Sequence, residues 1–403
     1  MIEELTSYCL SCGRPLCETG CPVQNHICAY IKALKDGDID HAAEVLYSAD
    51  PFPELTSRLC DCTRQCQGHC VRGIKGEPVS VQQIERYISD HSKRHLVIKE
   101  KTGRKIAMIG AGPADLAAAV DLVVAGHHVE IYDKLEEVGG AVYSGIPDYR
   151  FDKWRLAAIR EELTEAGVVF HMACEVGKDI DLAQLEEKFD RVLVGIGAQV
   201  ENTYGLSGNG CTAGLSLLYD LNVKHLEDDY RHRYKRAVVW GGGNVAMDCA
   251  RSLKRILEDV TVIYRRTKKE MPANADEIAD AEKEGVTFAY LENITGLRLD
   301  EEGRVIGVDC VKMHLGEPDS SGRARPIVTE GSEYTIDCDL VVPAIGQSVD
   351  LGIFGIEKTE GHHTNKRNVF VCGDALLGPK TVAAAIKDGK DAATEIIADL
   401  REG

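Results

Sequence analysis

Nine cysteines in the first 70 residues are the side chains with the clearest chemistry in this chain of 403 residues. Five lie in the segment SYCLSCGRPLCETGCPVQNHIC and four in CDCTRQCQGHC. Dense thiols in a reducing compartment bind metal more often than they form disulfides. Cys9 and Cys12 form a short pair and Cys21 precedes a proline, which are ferredoxin-like features. The pattern favours iron–sulfur clusters over zinc or free structural thiols, and nine cysteines indicate two four-ligand clusters with spares.

A dinucleotide-binding turn is predicted in the segment RKIAMIGAGPADLAAAVDLVVAGHHVEIYDK. It contains a short strand, a glycine turn at Gly110 and Gly112, an apolar helix, and a second strand that ends at Asp133. In this context the glycines let a pyrophosphate approach the helix N-terminus, and the acid binds a ribose hydroxyl. Asp115 replaces the third glycine of the fingerprint. We expect its side chain to point away from the turn, with a slight tilt of the helix.

A second turn of the same kind is predicted in KRAVVWGGGNVAMDCARSLKRILEDVTVIYRR, where Gly241 and Gly243 follow a strand. Its second strand ends in Arg265 and Arg266 instead of an acid. Arginines at this position suit the 2′-phosphate of NADP, although a solvated strand end is the alternative. Two turns with opposite charges at their strand ends indicate one site for FAD and one for NADP(H).

A third strand–turn–helix unit is predicted near the C-terminus, in RNVFVCGDALLGPKTVAAAIKDGKDAATEIIADL. The turn is Gly373-Asp374, and the helix is expected from Thr381 to Ile397 with a slight break at Gly389. An acid at such a turn could bond a ribityl chain, and the next helix N-terminus could stabilise negative charge on a reduced flavin.

The elements around the cysteines are predicted to be helices. A first helix begins near Ile27, a turn follows at residues 36–38, and a second helix ends before Pro51. A third is predicted in PVSVQQIERYISDHSKRH. The histidine pairs His127-His128 and His362-His363 are expected to be solvated, and EPDSSGRARP is expected to form a polar hairpin tip.

Composition limits the classes of function. With 44% hydrophobic residues, the chain is long enough for two or three domains. A net charge of −18 argues against a nucleic-acid partner. The N-terminal MIEELTSYCL lacks the basic and apolar regions of a secretory signal, and no apolar run is long enough for a membrane span. We therefore expect a cytoplasmic protein.

Taken together, these motifs resemble a known family over the whole chain. They are CLSCGRPLCETGCP, CQGHCVRGIKGEP, IGAGPADLAAA, VGGAVYSGIPDYR, GGGNVAMDCARS, YRRTKKEMPA, PAIGQ and VFVCGDALLGPKTVAAAIKDGKDAA. The chain resembles the small (beta) subunit of bacterial glutamate synthase. It is equally similar to the N-terminal half of dihydropyrimidine dehydrogenase and to the large subunit of electron-bifurcating ferredoxin:NADP oxidoreductase.

The resemblance implies an α/β fold with two Rossmann-like nucleotide-binding domains, like those of glutathione and thioredoxin reductases, and an N-terminal α-helical iron–sulfur domain. It places this iron–sulfur domain at residues 1–98 and the first part of the FAD-binding domain at 103–227. The NADP(H)-binding domain would be an insertion at 228–340, and the second part of the FAD-binding domain would follow at 341–403.

The resemblance also implies two 4Fe–4S clusters and their ligands. One cluster would be bound by Cys9, Cys12, Cys17 and Cys70. The other would be bound by Cys21, Cys60, Cys66 and the carboxylate of Glu85, for which an exposed helix carboxylate is the alternative. Cys28 and Cys62 would then be spares.

The nucleotide sites follow from the same resemblance. The implied FAD site consists of Gly110, Gly112, Asp133, Gly139, Gly140, Arg150, Gly373, Asp374 and Thr381. The implied NADP(H) site consists of Gly241, Gly243, Asn244, Val245, Arg265 and Arg266.

The implied activity is electron input. NADPH would pass a hydride to FAD, and the clusters would carry electrons singly to a second subunit or a ferredoxin-like acceptor, without a catalytic side chain. One alternative is a ferredoxin-type or dihydropyrimidine dehydrogenase-type reductase subunit. Another is a regulatory subunit with a degenerate flavin site, for which Asp115 is the indication. A disulfide reductase is disfavoured because the cysteines beyond Cys70 are single.

Overall fold

The computed structural model describes residues 2–318 and 322–402, which divide into two compact units. Unit 1 comprises Met1–Val142, Arg150–Gln199 and Val349–Gly403, and unit 2 comprises Tyr143–Tyr149 and Val200–Ser348. The chain of unit 2 is thus inserted within that of unit 1. The four-part domain division implied by the family resemblance stays a prediction.

The described residues contain helices and strands in the following chain order. The helices are α1 (Ile2–Ser7), α2 (Leu16–Thr19), α3 (Ile27–Lys35), α4 (Ile39–Ala49), α5 (Pro53–Leu59), α6 (Val81–His91), α7 (Pro113–Val124), α8 (Ala141–Ser144), α9 (Trp154–Glu165), α10 (Leu182–Lys188), α11 (Gly214–Asn222), α12 (Glu227–Arg233), α13 (Asn244–Lys254), α14 (Ala275–Lys283), α15 (Asp374–Leu377) and α16 (Val382–Glu402). The strands are β1 (Lys105–Ile109), β2 (His128–Asp133), β3 (Val169–Met172), β4 (Arg191–Val194), β5 (Val200–Glu201), β6 (Arg236–Trp240), β7 (Asp259–Tyr264), β8 (Thr287–Tyr290), β9 (Glu292–Leu299), β10 (Val305–Pro318), β11 (Ala324–Val328), β12 (Tyr334–Ile336), β13 (Leu340–Pro343), β14 (Gln347–Ser348) and β15 (Val369–Val371). Short 3₁₀ turns occur at Val71–Ile74, Lys268–Glu270 and Gly352–Phe354.

The N-terminal part of unit 1 is helical, and the three predicted helices are confirmed as α3, α4 and α6. Helix α4 begins where the Asp38 carboxylate accepts the His41 N–H over 2.9 Å, which is an N-cap. Helix α5 was not predicted from the sequence, because its seven residues are too few to show a helical period. Its start at Pro53 is the remaining signal, since proline favours the first turn of a helix.

The sheet of unit 1 consists of five parallel strands in the order β15-β4-β1-β2-β3. Parallel strands need crossover helices, and α7 makes the first crossover between β1 and β2. Helix α16 runs unbroken through Gly389, so the predicted break is wrong. The glycine is needed for packing: a Cβ added there would meet the backbone oxygen of Ala114 in α7 at 2.0 Å.

Unit 2 has a parallel sheet of four strands in the order β13-β6-β7-β8. Strands β9, β11 and β12 pair with the long strand β10 in a separate antiparallel sheet. The predicted polar hairpin tip lies between β10 and β11, and its residues 319–321 lie outside the described residues. None of the helices in the described ranges is long and apolar enough to span a bilayer.

Candidate functional site

Five cysteines of unit 1 face one small cavity beside α3. The four that were predicted to bind the first cluster line it together with Cys28, one of the predicted spares: Cys9, Cys12, Cys17, Cys28 and Cys70. Burial and the neighbouring Glu18, Cys70 and Cys9 raise the pKa of the Cys17 thiol to about 12. A positive metal centre reverses such a shift, because a coordinating thiol loses its proton.

The second predicted group also comes together. Burial raises the pKa of Cys60 well above its usual value, and Glu85, Cys21 and Cys66 are close enough to raise it further. The thiol of Cys66 also forms a hydrogen bond with that of Cys62, so the second predicted spare lies in this group. No group of three or more His, Cys, Asp or Glu side chains within residues 2–318 and 322–402 could hold a metal ion directly. The thiols are therefore neighbours and do not form a preformed single-ion site.

Glu85 is buried in α6, so the alternative of an exposed helix carboxylate is wrong. Asn25 Nδ2 and Tyr30 Oη both donate to its Oε1, over 2.9 and 2.8 Å. None of the described residues donates a hydrogen bond to Oε2, so this oxygen is available for a further ligand. Burial, with nearby Asp50 as the second cause, raises the pKa of Glu85 to about 7.

The donor sets fit iron–sulfur clusters. The first is entirely thiol, and the second is three thiols with an oriented carboxyl, which matches cysteine ligation with one oxygen donor. Three residues that surround Glu85 were not predicted from the sequence: Asn25, Tyr30 and Asp50. They are distant from it in the sequence, so no local spacing could have indicated them.

The first glycine turn lies between β1 and α7. Gly110 has φ +119°, and a Cβ added there would meet the backbone oxygen of Gly195 at 2.5 Å. Gly112 is the N-cap residue of α7. The second predicted glycine pair lies against this turn, because the Gly139 N–H donates to Ala111 O over 2.7 Å and an added Cβ at Gly140 would lie 3.1 Å from Gly112 Cα. The backbone at a helix N-terminus thus fits a pyrophosphate.

Asp133 ends β2 as predicted, and its carboxylate supports the turn directly. Its Oδ2 accepts the Ala111 N–H and its Oδ1 accepts the Leu135 N–H, both over 2.7 Å. Each carboxylate oxygen has a second lone pair, so a ribose hydroxyl can still bind. Arg150, also predicted for this site, begins the second chain segment of unit 1.

Asp115 does not point away from the turn, so this expectation is wrong. Its side chain is fully buried beneath the turn, where Oδ2 accepts the Gly112 N–H over 3.2 Å. Its Oδ1 has no hydrogen-bond partner. Burial, and next the charge of Asp133, raise the pKa of Asp115 well above its usual value. This shift favours the protonated, uncharged carboxyl, which repels a pyrophosphate less than a carboxylate does.

The Gly373-Asp374 turn lies at the end of β15, beside the first turn of α7. Gly373 has φ +64°, and an added Cβ would lie 2.7 Å from the Cβ of Ala114. Asp374 Oδ1 accepts the Lys380 N–H over 3.0 Å, and burial raises the pKa of Asp374 to about 6. Thr381 Oγ1 accepts the Ala384 N–H over 3.2 Å at the start of α16. The three predicted residues therefore shape one polar edge of unit 1.

Two histidines that were expected to be solvated are buried. His127 bonds to Thr102 Oγ1 over 2.7 Å. His362 lies between Asp388 and Glu395 of α16. Histidine pairs in loops carry no periodic signal, so their burial could not be predicted from the sequence.

The second glycine turn forms one wall of a cavity of about 580 Å³ in unit 2. Gly241 has φ +151°, and an added Cβ would meet Ala344 O at 2.2 Å. Gly243 is the N-cap residue of α13, with open space where a Cβ would be. Asn244 Oδ1 accepts the Asn274 N–H over 2.9 Å, and Val245 packs against the core. These two predicted residues hold the turn in place, while the glycines face the cavity.

Arg265 and Arg266 both line this cavity, but they differ in exposure. Arg265 is exposed, whereas Arg266 is buried and its Nε donates to Ala324 O in β11 over 2.8 Å. A solvated strand end therefore does not describe Arg266. Two further arginines were not predicted from the sequence. Arg323 faces the same cavity from the β10–β11 hairpin, and Arg325 lines an adjoining cavity together with Arg265 and Arg266.

Comparison with known families matches nearly the whole chain. Residues 1–97 match the family described as dihydropyrimidine dehydrogenase domain II, 4Fe-4S cluster, and residues 104–389 match the pyridine nucleotide-disulphide oxidoreductase family. The prediction of an iron–sulfur domain, over the zinc alternative, is thereby confirmed.

Curated relatives cover almost all of this chain. It is 35% identical to the glutamate synthase [NADPH] small chain of Escherichia coli K12, over 96% of this chain and 89% of that protein. It is 36% identical to the NADP(+)-dependent formate dehydrogenase subunit beta of Moorella thermoacetica, and 34% identical to an NADPH-Fe(3+) oxidoreductase subunit beta of Geobacter sulfurreducens. Both matches cover 96% of this chain, but the chain spans only 60% and 64% of those two relatives.

Solved structures share the fold at low identity. Mycobacterium tuberculosis FprA in complex with NADPH matches with a TM-score of 0.65 at 20% identity, over 74% of this chain and 85% of that chain. Thioredoxin reductase of T. acidophilum matches with a TM-score of 0.53 at 19% identity, over 74% of this chain and 99% of that chain. The predicted α/β fold with thioredoxin reductase-like nucleotide-binding domains is confirmed.

Proposed function

Because the chain belongs to the pyridine nucleotide-disulphide oxidoreductase family and to the family of glutamate synthase small chains, we propose that it is an electron-input subunit. It takes electrons from NADPH and delivers them to a partner protein. The observation that carries this proposal is the presence in one chain of a 4Fe-4S domain, a glycine turn in each unit and an arginine-lined cavity.

The arginines support NADPH as the electron donor. Arg265 and Arg323 bring positive charge to the cavity at the end of β7, where the adenosine ribose of a dinucleotide binds. A 2′-phosphate there would receive charge-assisted hydrogen bonds from planar guanidinium groups. Arg266 stabilises this site, because its hydrogen bond to Ala324 O joins the end of β7 to β11.

The flavin site is proposed for unit 1. Gly110, Gly112 and Gly140 would admit the pyrophosphate, Asp133 would bind the ribose, and Asp374 would bond the ribityl chain. When bound, FAD would accept a hydride from NADPH, and two 4Fe–4S clusters would pass single electrons onward. The residues of the chain bind and orient these groups, and no side chain is needed as an acid or base.

The cluster ligands are proposed in two groups. Cys9, Cys12, Cys17 and Cys70 would hold one cluster, with Cys28 as a neighbouring thiol that does not bind iron. The other cluster would be held by Cys21, Cys60, Cys66 and Glu85. Its carboxylate would bind through Oε2, because Oε1 already accepts two hydrogen bonds.

For the partner, we propose the large subunit of a glutamate synthase, which would use the electrons to form glutamate. A second candidate is an electron-accepting subunit of another complex or a ferredoxin-like protein. The matches to a formate dehydrogenase beta subunit and to an NADPH-Fe(3+) oxidoreductase beta subunit favour this candidate. The two candidates are distinguished by adding each acceptor in turn. Glutamate formation with a glutamate synthase large subunit would support the first candidate, and reduction of a ferredoxin without glutamate formation would support the second.

The first test is the visible spectrum and iron content of anaerobically purified protein, before and after NADPH is added. We expect flavin absorption, about eight irons per chain from two four-iron clusters, and reduction by NADPH but poorly by NADH. Flavin without iron would refute the assignment of the cysteines. Iron without flavin would refute electron input and support the regulatory alternative.

A further inference from the structure

A buried histidine in unit 1 joins two carboxylates of α16. His362 is only 6% exposed. Its Nδ1 lies 2.8 Å from Glu395 Oε1, and its Nε2 lies 3.2 Å from Asp388 Oδ1. Its backbone N–H also donates to Glu395 Oε2 over 3.1 Å. The loop before β15 is thereby attached to α16 at three points.

Asp388 extends this network to the proposed flavin site. Its Oδ2 accepts the Gly373 N–H over 2.6 Å, so its two oxygens join His362 to the turn that follows β15. Asp388 is itself buried, and the next residue, Gly389, packs directly against the Ala114 backbone of α7. The Asp388 carboxylate thus joins the histidine to the turn, and its neighbour Gly389 contacts the first turn of the nucleotide-binding helix.

The turn has little freedom to adopt another position. Gly373 has φ +64°, and the space around its Cα is limited by the Cβ of Ala114. Asp374, the next residue, begins α15. A rotation of the Gly373 peptide would move Asp374 and the N-terminus of α15 together. The hydrogen bond from the Gly373 N–H to Asp388 opposes this rotation, together with the two backbone bonds that Gly373 O accepts from Leu376 and Leu377.

We propose that His362 is a positioning residue for the flavin: as an imidazolium it holds Asp388, and Asp388 fixes the Gly373-Asp374 turn against the flavin site. The inference rests on the proposed function, because it requires FAD to bind at this turn. The segment GHHTNKRNVFVCGD contains His362, Gly373 and Asp374, but Asp388 lies 14 residues beyond it, so the sequence does not indicate the contact.

The charge state follows from the geometry. Both ring nitrogens face carboxylate oxygens, and only the imidazolium can donate from both. Burial alone would lower the pKa of His362, but its hydrogen bonds to Asp388 and Glu395 raise it above the usual value. Asp374 and Cys372, which directly follows β15, are titratable groups close to Asp388, and Asp115 of α7 is close to Cys372.

The charge on His362 makes the stability of this network depend on pH. A histidine whose pKa is raised by folding stabilises the folded state fully below its unfolded pKa of about 6.5. This stabilisation is lost as the pH rises through the folded pKa. FAD should therefore be held more tightly on the acid side of that value and released faster on the alkaline side.

The test uses the full-length protein as purified, with His362→Gln as the variant and His363→Gln as its matched control. His363 is exposed and its ring packs on Phe370. FAD release is followed by the fluorescence of the free flavin at about pH 6 and about pH 9, on either side of the usual histidine pKa. The flavin midpoint potential is measured in parallel, and iron content reports whether the N-terminal helices are intact.

We expect His362→Gln to release FAD roughly tenfold faster than the parent at the lower pH, as for loss of a hydrogen bond to a charged group. Its release rate should change less with pH than that of the parent, because Asp374 still titrates, and its flavin potential should shift. His363→Gln should behave like the parent. Release at the parental rate with the parental pH dependence would overturn the inference.

Two further outcomes are decisive. If the parent itself binds no FAD, the proposed function fails, and not only the role of His362. If His362→Gln loses iron together with FAD, its fold is damaged, and the pH dependence of FAD release by the parent becomes the test. A parent whose FAD release does not accelerate with rising pH would then overturn the inference.

Discussion

Asp115 lies in direct contact with Gly195: a Cβ added at Gly195 would lie 2.0 Å from Oδ1 of the carboxyl. The third glycine of a nucleotide-binding fingerprint normally lets helix and strand pack closely. Here the glycine that makes room lies at the end of another strand, and an acid occupies the fingerprint position. The pair explains how the turn keeps its shape with aspartate in place of glycine.

The Asp115→Asn variant should be more stable than the parent at neutral pH. Folding raises the pKa of Asp115, so the parent loses stability as the pH rises from its unfolded pKa of about 3.9 towards its folded pKa. The amide does not titrate. The advantage of the variant in thermal unfolding should be smallest near pH 4 and grow towards pH 7. Glu187→Gln, a change of an exposed carboxylate, serves as the control, and a pH-independent difference would contradict the prediction.

Replacing Gly389 by alanine should separate α7 from α16. The added Cβ would meet backbone, which cannot rotate away, so we expect the free energy of unfolding to fall by about 3 kcal/mol, the cost of severe overpacking. FAD should also dissociate faster, because both helices border its proposed site. Chemical denaturation measures the first effect and flavin fluorescence the second.

Gly76→Ala is the matched control for this substitution. The nearest atom to its added Cβ, Arg72 O, is 4.0 Å away, which is an ordinary contact. If the two variants unfolded at the same denaturant concentration, the close approach of α7 and α16 would not constrain the fold.

Substitutions of Arg265 and Arg266, the two arginines at the end of β7, should affect different properties. We expect Arg265→Ala to weaken NADPH binding roughly tenfold through loss of a charged hydrogen bond to the 2′-phosphate, while NADH binding is unchanged. Arg266→Ala should instead lower thermal stability, because a buried side chain and its bond to Ala324 are lost. Steady-state kinetics with both nucleotides and thermal unfolding provide the measurements.

Arg298→Ala, at an exposed position on β9, should change neither property. Equal losses for NADPH and NADH in Arg265→Ala would show that this side chain does not select the phosphate. If Arg323→Ala changed the preference for NADPH and Arg265→Ala did not, the β10–β11 hairpin would be the part that selects the 2′-phosphate.

Glu85→Ala should remove one cluster and leave the other. The substitution takes away the proposed oxygen ligand, so we expect iron to fall from about eight to about four per chain, with FAD retained. Iron analysis and the electron paramagnetic resonance spectrum of the reduced protein measure the effect. Glu44→Ala, at an exposed position in α4, is the control, and full iron content in Glu85→Ala would exclude the carboxylate as a ligand.

The sequence by itself determined the local units of this protein. Gly110 and Gly241 were identified because a strand, a glycine turn and an apolar helix are contiguous, and their periods depend only on neighbouring residues. The clustered cysteines likewise carry their chemistry in their spacing. The structure agrees with the glycine signals, because α7 and α13 begin at the predicted turns.

Only the tertiary structure decided how individual polar side chains are used. Glu85 bonds to Asn25, 60 residues away, and Arg266 bonds to Ala324, 58 residues away. His362 meets Asp388 in the same manner, although neither has a periodic signal. Burial of a single charged group depends on which distant segments cover it, and no local pattern of residues encodes that information.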